Sequence, residues 1–158
     1  MADYGVPDDT DGVLAWSWAE ERLLASRNLW VVSASSEGRP HAMPVWGVWV
    51  PESGTCVFSC SPNSRKARNF AANPQATVAV DDTVEVVVVE GTVRAVDPVD
   101  VDAALDAYVA KYWETEAERT EGKGFVTSHL VLELTPERAF GIIEREEEFA
   151  QRATRWVW

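Results

Sequence analysis

The chain has 158 residues, of which 46% are hydrophobic and 25% charged, a length and composition typical of one globular domain. Its 26 acidic and 14 basic residues give a formal net charge of −12 at pH 7. Such a protein repels nucleic acids and anionic membranes overall, so any anion that it binds requires a local cluster of cations.

The cysteines and the first residues bear on where the protein works. Cys56 and Cys60 fall in one predicted strand, about 13 Å apart along it, which is beyond the reach of a disulfide. We therefore expect two buried free thiols and a reducing compartment. The N-terminus does not resemble a signal peptide, and no apolar run approaches the ~20 residues of a membrane span. These features predict a cytoplasmic protein with a single domain over residues 1–158.

The first part of the chain is predicted to form a leader, a helix and three strands. Residues 1–11 are predicted to be a flexible leader, and residues 12–27 an amphipathic helix with Asp11 as its N-cap. The apolar face of this helix is predicted to carry Val13, Trp16, Leu23 and Leu24. The strands are predicted at residues 29–34, 40–50 and 55–60.

The strand at residues 40–50 has an unusual composition. Both of its faces are apolar, so we expect that neither faces bulk water. Pro44 lies in its middle, where the missing N–H indicates an edge, a bulge or a neighbour that is not a strand. Gly47 leaves room for close approach, and Trp46 and Trp49 offer flat apolar walls. A planar ring lying along the strand and an ordinary barrel bulge both fit this pattern.

The segment SPNSRKARNFAANP, residues 61–74, is predicted to form a turn and a short helix. Ser64 is the expected N-cap, and the helix is expected to end at about Asn73, before a proline. Its buried face is predicted to carry Ala67, Phe70 and Ala71, and its other face Lys66 and Asn69.

Three cations, Arg65, Lys66 and Arg68, crowd the start of this helix, where the helix dipole disfavours each by about 0.3–1 kcal/mol. A bound phosphate would reverse that cost, because backbone N–H groups, cations and the Ser64 hydroxyl would converge on one dianion. A solvated basic turn is the alternative. The glycines of a P-loop and of a dinucleotide fingerprint are absent, which excludes both motifs.

The second half of the chain adds further strands and one helix. Strands are predicted at residues 76–81, 84–96, 129–135 and 138–144, a helix at 98–113 and a charged loop at 114–124. The Val86–Val89 run has no polar face, which indicates a central strand or one buried against a partner subunit. Seven strands and three helices result, and links too short for parallel crossovers favour a mainly β, antiparallel barrel.

Four segments resemble the FMN-binding split-barrel superfamily, the pyridoxamine 5′-phosphate oxidase-like proteins that include flavin- and deazaflavin-dependent oxidoreductases. They are GRPHAMPVWGVW (38–49), VFSCSPNSRKARNFAANPQATVAV (57–80), VVVVEGTVRAV (86–96) and ATRW (153–156). The SRKARN stretch followed by ANP is the most specific of them. The resemblance implies a Greek-key antiparallel split β-barrel of six strands, a homodimer and two cofactor sites at the subunit interface.

The resemblance also implies roles for particular residues. Ser64, Arg65 and Lys66 would hold the cofactor phosphate, with Arg68 nearby. The ring would lie along Met43, Pro44, Val45 and Trp46, with Ser59 as a further contact. The tail 146–158 would place Arg155 and Trp156 near the ring, from the same or from the other subunit.

The activity implied by the resemblance is that of an oxidoreductase in which FMN or coenzyme F-420 exchanges hydride with a small conjugated substrate. The tail lacks the Arg-x-His signature of vitamin B6 oxidases, so B6 oxidation is not expected. The net charge opposes the acidic tail of F-420, whereas Arg22, Arg27 and Arg39 offer it a local path. The alternative is a non-catalytic protein that binds or sequesters a flavin, haem or related ring. No catalytic side chain and no metal site is predicted.

Overall fold

A computed structural model of the chain describes residues 12–148 and 153–158. Its α-helices are α1 (Trp16–Ala25), α2 (Arg65–Ala72), α3 (Asp102–Tyr112) and α4 (Glu116–Thr127), with a 3-10 turn at Pro98–Val101. Its strands are β1 (Asn28–Ala34), β2 (Pro40–Val50), β3 (Thr55–Cys60), β4 (Gln75–Ala79), β5 (Glu85–Ala95), β6 (Leu130–Ile143) and β7 (Thr154–Val157). The predicted leader, Asp11 and part of the acidic tail lie outside the described residues.

The strands form one antiparallel sheet in the order β3-β2-β1-β4-β5-β6-β7, and β3 also pairs with β6. This last pairing closes six strands into a barrel and leaves β7 as an additional strand on β6. Closure removes most of the free edges that an open sheet would expose. The predicted mainly β, antiparallel split barrel is therefore confirmed.

Two apolar clusters fill the molecule. One lies inside the barrel and includes Leu29, Trp49, Phe58 and Leu134, all at most 1% exposed. The other joins the outside of β2 and β3 to α3 and α4. Both cysteines are free and buried, as predicted, and burial raises the pKa of the Cys56 thiol to about 12.

The charged segment after α3 is a helix, so the prediction of a loop at residues 114–124 is wrong. Thr115 and Glu118 form a capping box at the start of α4: the Thr115 hydroxyl accepts the Glu118 N–H, and the Glu118 carboxylate accepts the Thr115 N–H. Gly122 of α4 lies so close to Trp113 that an added Cβ would meet its ring at 2.7 Å. A helix with a largely polar surface is held here by its cap, by the contact of Gly122 with Trp113, by the buried Val126 and by ion pairs from Lys123 to α3.

The strands predicted at residues 129–135 and 138–144 are one strand, β6. Pro136 lies in the gap between the two predicted strands and is the register partner of Gly91, where the β5–β6 register shifts between Glu90 and Gly91. A bulge tolerates a residue without an N–H, so the pairing continues past the proline. Gly91 is required there, because a Cβ would come within 2.1 Å of the Thr135 carbonyl oxygen.

Helix α1 begins later than predicted. It starts at Trp16, and Ala15 at its N-cap makes no side-chain capping bond. Its fully buried residues are Ala19 and Leu23, whereas Val13 and Leu24 are 50% and 46% exposed, so the predicted apolar face is only partly correct. The small Ala19 permits the close approach to the barrel that the pattern of large residues did not indicate.

Candidate functional site

The strand β2 has two different halves. β3 pairs with β2 only from Gly47 to Val50, and then follows β6 as far as the Cys60–Leu130 pair. Over residues 40–46, β1 is the only paired neighbour of β2 among the described residues. The side of β2 that lies opposite β1 is therefore an open edge over residues 40–46, and this open side is called the cleft below. The arrangement confirms the edge reading of Pro44.

The open edge offers mostly hydrogen-bond acceptors. Gly47 directs its N–H and C=O toward the β1 side, where they meet Tyr112 and Lys111. Alternate residues of an antiparallel strand direct these groups to opposite sides, so Pro40, Ala42, Pro44 and Trp46 face the open edge. Both prolines lack an N–H, and neither loses a ladder bond. The edge presents the N–H groups of Ala42 and Trp46 and four carbonyls, of which that of Trp46 accepts from the Tyr108 hydroxyl.

The side chains around this edge are more exposed than predicted. Met43 and Trp46 are each 44% exposed, so the expectation that neither face of the strand meets water is wrong for the single chain. Val45 is buried, and Pro44 is exposed. The exposure is confined to the half of β2 that lacks β3, because the residues of the other half are buried.

Helix α2 packs on β1 at Ser33, which is the register partner of His41 in the open half of β2. The Ser64 hydroxyl accepts the Ala67 N–H at 3.2 Å, so the predicted N-cap is confirmed. Asn69 is buried and donates to the Ser33 hydroxyl at 2.9 Å, while Ala71 is exposed, so the predicted faces are wrong at these two positions. The buried amide fixes α2 against β1 through a polar contact that an apolar pattern does not indicate.

The cations of α2 differ in their contacts. Within the part of the chain that the structure describes, Arg65 and Lys66 make no hydrogen bond or ion pair, whereas Arg68 donates to the Asn63 carbonyl at 2.6 Å. Several other basic residues are paired with carboxylates: Arg22, Arg94, Lys123, Arg138 and Arg145. Two cations without a carboxylate partner therefore stand at a capped helix N-terminus, an arrangement that favours an anion over a further cation.

Helix α3 is bonded to β2 at Trp46 and Gly47, where the pairing of β2 with β3 stops. The sequence analysis did not predict this contact. The Tyr108 hydroxyl donates to the Trp46 carbonyl at 3.2 Å, and the Lys111 ammonium donates to the Gly47 carbonyl at 2.9 Å. The Tyr112 ring stacks on Trp46 with centroids 4.8 Å apart and planes at 7°. The spacing of Tyr108 and Tyr112 on one helix face was the available signal.

Burial also governs the ionisation of these side chains. It raises the pKa of the Tyr108 and Tyr112 hydroxyls and lowers the pKa of Lys111. A hydrogen bond with Ser59 opposes the rise at Tyr108, which places Ser59 beside α3 at the end of β3. Both phenols are therefore neutral hydrogen-bonding groups at neutral pH.

The tail residues contact other parts of the same chain. Trp156 pairs with Ala139 and packs edge-on against Trp16 at 5.4 Å, while Arg155 lines a cavity of about 400 Å³ with Val88 and Phe140. Within one chain, these contacts are with α1, β5 and β6 rather than with α2. Their predicted place beside a cofactor ring stays a prediction.

Comparisons with known proteins agree with this architecture. A family model described as pyridoxamine 5′-phosphate oxidase matches residues 18–142. The conserved hypothetical protein Rv2991 from Mycobacterium tuberculosis is 16% identical with a TM-score of 0.71, over 96% of this chain and 90% of that one. A heme binding protein from Mycobacterium smegmatis is 18% identical with a TM-score of 0.67, over 91% of this chain and 58% of that one.

A third structure, PhzG from Burkholderia lata in complex with tetrahydrophenazine-1-carboxylic acid, is 11% identical with a TM-score of 0.55, over 84% of this chain and 77% of that one. No curated protein matches the sequence significantly. No helix of the described residues is long and apolar enough to cross a membrane. The family model extends from α1 into β6 and contains both the β2 edge and the α2 turn. The chain therefore belongs to the pyridoxamine 5′-phosphate oxidase family.

Proposed function

We propose that this protein is an oxidoreductase that uses FMN or coenzyme F-420 to exchange hydride with a small conjugated organic substrate. The observation that carries the proposal is the pair of unpartnered cations, Arg65 and Lys66, at the Ser64-capped start of α2. They lie beside the open edge of β2 in a chain that belongs to a family named for an oxidase of a phosphorylated substrate. Location in the cytoplasm is part of this proposal and rests on composition.

The phosphate of the coenzyme would bind at the start of α2. Ser64, Arg65 and Lys66 supply a hydroxyl, two charges and the N–H groups of the first helical turn. Arg68 braces the turn through the Asn63 carbonyl, so its role would be to shape the site. In a protein of net charge −12, this local cluster decides where an anion is held.

The ring of the coenzyme would lie along residues 43–46 of β2. The carbonyls and the N–H groups of Ala42 and Trp46 on this edge complement a heterocycle that carries both N–H and C=O groups. Met43, Val45 and Ser59 would line it, and the flat indole of Trp46 stands at the end of the cleft. When bound, the coenzyme supplies the hydride chemistry, while these residues orient it and exclude water.

A second copy of the chain would complete the site. One row of register partners crosses the outer face of the barrel: Trp30, Ala79, Val88, Phe140 and Arg155. Val87 and Val89 fill the barrel interior, so the outward Val86 and Val88 are the valines that a partner subunit would cover. We propose a homodimer through this face; Val88→Glu should yield a monomer in light scattering, and an unchanged mass would contradict the assignment.

A non-catalytic ring-binding protein is the second candidate. The structural likeness to a heme binding protein supports it, as does the lack of a convergent acid–base pair among the described residues near the cleft. The two candidates share one site and differ in turnover. A binder would hold its ring without passing hydride to any acceptor.

Coenzyme titration of the purified full chain tests the proposal. Absorbance spectra should show FMN or F-420 binding below about 100 μM, a binding free energy near −5.5 kcal/mol. Haem is titrated in parallel, and the loaded protein is then assayed for hydride transfer to quinones and other conjugated acceptors. Failure of both coenzymes to bind would remove the oxidoreductase assignment, and binding without any turnover would favour the second candidate.

A further inference from the structure

We infer that the indole of Trp46 is a preformed stacking wall for a planar aromatic ring of the substrate, and that Tyr112 is the positioning residue that holds it. This inference rests on the proposed oxidoreductase function and adds a substrate class to it. The class is a flat aromatic acceptor that is neutral or anionic.

One face of the Trp46 indole is already covered, and the other is available. Tyr112 stacks on it at 4.8 Å with an interplanar angle of 7°, and Trp113 meets it edge-on at 5.5 Å. The residue is nevertheless 44% exposed. An aromatic ring with one stacked neighbour and one open face is a template for a further stacked ring.

Tyr112 is fixed by polar contacts as well as by stacking. Its hydroxyl accepts the Gly47 N–H at 2.9 Å and donates to the Arg27 carbonyl. The β1–β2 register would place Arg27 opposite Gly47, so the hydroxyl bridges the two strands at the end of their ladder. The wall is thereby tied to the backbone of both strands, and little ordering would be needed when a ligand binds.

The cluster behind the wall is also rigid. Trp113 is pressed against Gly122 of α4, and Lys123 of α4 pairs with Asp102 and Asp106 of α3. The two helices therefore support the stack from behind.

The side chain and the backbone of Trp46 face different parts of the site: the indole lies on the outer face of the sheet, and the backbone lies at the open edge. Asn28 lies opposite Trp46 and Trp30 lies opposite Pro44, so these side chains share the outer face of the sheet. Met43 and Val45 pair with Val31 and Leu29 and point to the other face. The indole consequently stands to one side of the edge along which the coenzyme would lie, where a substrate ring could approach it.

The charges around the wall select among aromatic ligands. The Arg27 guanidinium lies 5.4 Å and the Lys111 ammonium 5.6 Å from the centroid of Tyr112. These cations disfavour a positively charged ring on the same stack and favour a neutral or anionic one. An acidic protein would otherwise attract cationic aromatics, so this local preference is distinctive.

Calorimetric titration of the full chain with menadione and anthraquinone sulfonate, with and without coenzyme, tests the inference. Trp46→Leu should weaken menadione binding by about tenfold, whereas Trp46→Phe should weaken it less. Tyr112→Phe, which keeps the ring and removes the hydroxyl, should weaken it about threefold and speed amide exchange at Gly47. Trp158→Leu, an exposed tryptophan elsewhere, is the matched control and should leave menadione affinity within twofold.

Coenzyme titration of the same variants separates this inference from the proposed function. Because the coenzyme would lie along the backbone edge of residues 43–46 and not on the indole face, Trp46→Leu should weaken coenzyme binding less than it weakens menadione binding. Menadione binding equal to wild type in Trp46→Leu would overturn the wall, and so would a tenfold loss of coenzyme affinity, which would place the indole in the cofactor site. If wild type binds neither FMN nor F-420, the proposed function fails, and the menadione result still decides whether Trp46 stacks a planar ring.

Discussion

The two halves of β2 belong to one strand and are similarly apolar, yet they have opposite environments. Residues 47–50 are paired on both sides and buried, whereas residues 40–46 keep β1 and lack β3. Trp49 is 1% exposed and donates its indole N–H to Glu20 at 3.0 Å; Trp46 is 44% exposed. The point at which β3 leaves β2 therefore separates residues that stabilise the barrel from residues that are available to ligands.

The largest expected effect compares the two tryptophans directly. Trp49→Ala should lower the free energy of unfolding by about 3–5 kcal/mol, because it leaves a cavity in the barrel. Trp46→Ala removes an exposed side chain and one stacking contact, and should cost about 1 kcal/mol. Denaturant unfolding measures both. Similar losses for the two variants would show that the open half also stabilises the fold of the single chain.

The second prediction concerns the anion site beside the open half. Arg65→Ala combined with Lys66→Ala should reduce coenzyme affinity by about 2–4 kcal/mol, roughly 30- to 900-fold, through the loss of charged hydrogen bonds. Stability should stay the same or rise slightly, because the α2 N-terminus loses two unpaired cations. The charge-preserving exchange Arg65→Lys with Lys66→Arg is the control and should retain most of the affinity. Unchanged affinity in the double alanine variant would remove the phosphate assignment.

Local chemistry predicted one part of this site and missed another. Ser64 and the proline of β2 were correctly interpreted because a cap and a missing N–H have consequences within a few residues. Asn69 and Tyr112 were missed because their partners, Ser33 and Gly47, are distant in sequence. Strand pairing brings such groups together, and the sequence pattern gives the order of strands more readily than their register.

The same distinction, between local signals and partners distant in sequence, explains the errors in the predicted fold. Helix α4 was hidden by its charge, although its capping box was readable as Thr115 and Glu118. The continuity of β6 through Pro136 depended on its register against β5, where Glu137 of β6 has no partner between the pairs Glu90–Arg138 and Gly91–Pro136. The barrel itself was predictable, because short links between apolar strands leave few alternatives to antiparallel pairing.

The third prediction tests whether the cap supports the site more than the fold. Ser64→Ala removes the bond to the Ala67 N–H and should cost about 1 kcal/mol of stability. The same substitution should weaken coenzyme binding, since the hydroxyl and the ordered first turn both face the anion. Ser61→Ala, three residues earlier in the exposed turn, is the control. A stability loss without any change in coenzyme affinity would confine Ser64 to a structural role.

The smallest expected effect concerns the ion pairs of Glu85 and depends on pH. Hydrogen bonds from Arg145 and Arg22 lower the pKa of Glu85 from its ordinary value of 4.5, and the Arg22 bond anchors α1 to the start of β5. Because the folded pKa is the lower one, this stabilisation is complete above about pH 4.5 and is lost as the pH falls through the folded pKa. Glu85→Gln should therefore reduce stability by ~1 kcal/mol or less at pH 7 and by progressively less in acid. Denaturant unfolding of the wild type and of Glu85→Gln at several pH values checks that their free energies of unfolding converge in acid. A difference in free energy that grows in acid would contradict the prediction. Coenzyme affinity at pH 7 should not change, because the ion pairs join β5 to α1 and to Arg145 and do not involve the open half of β2.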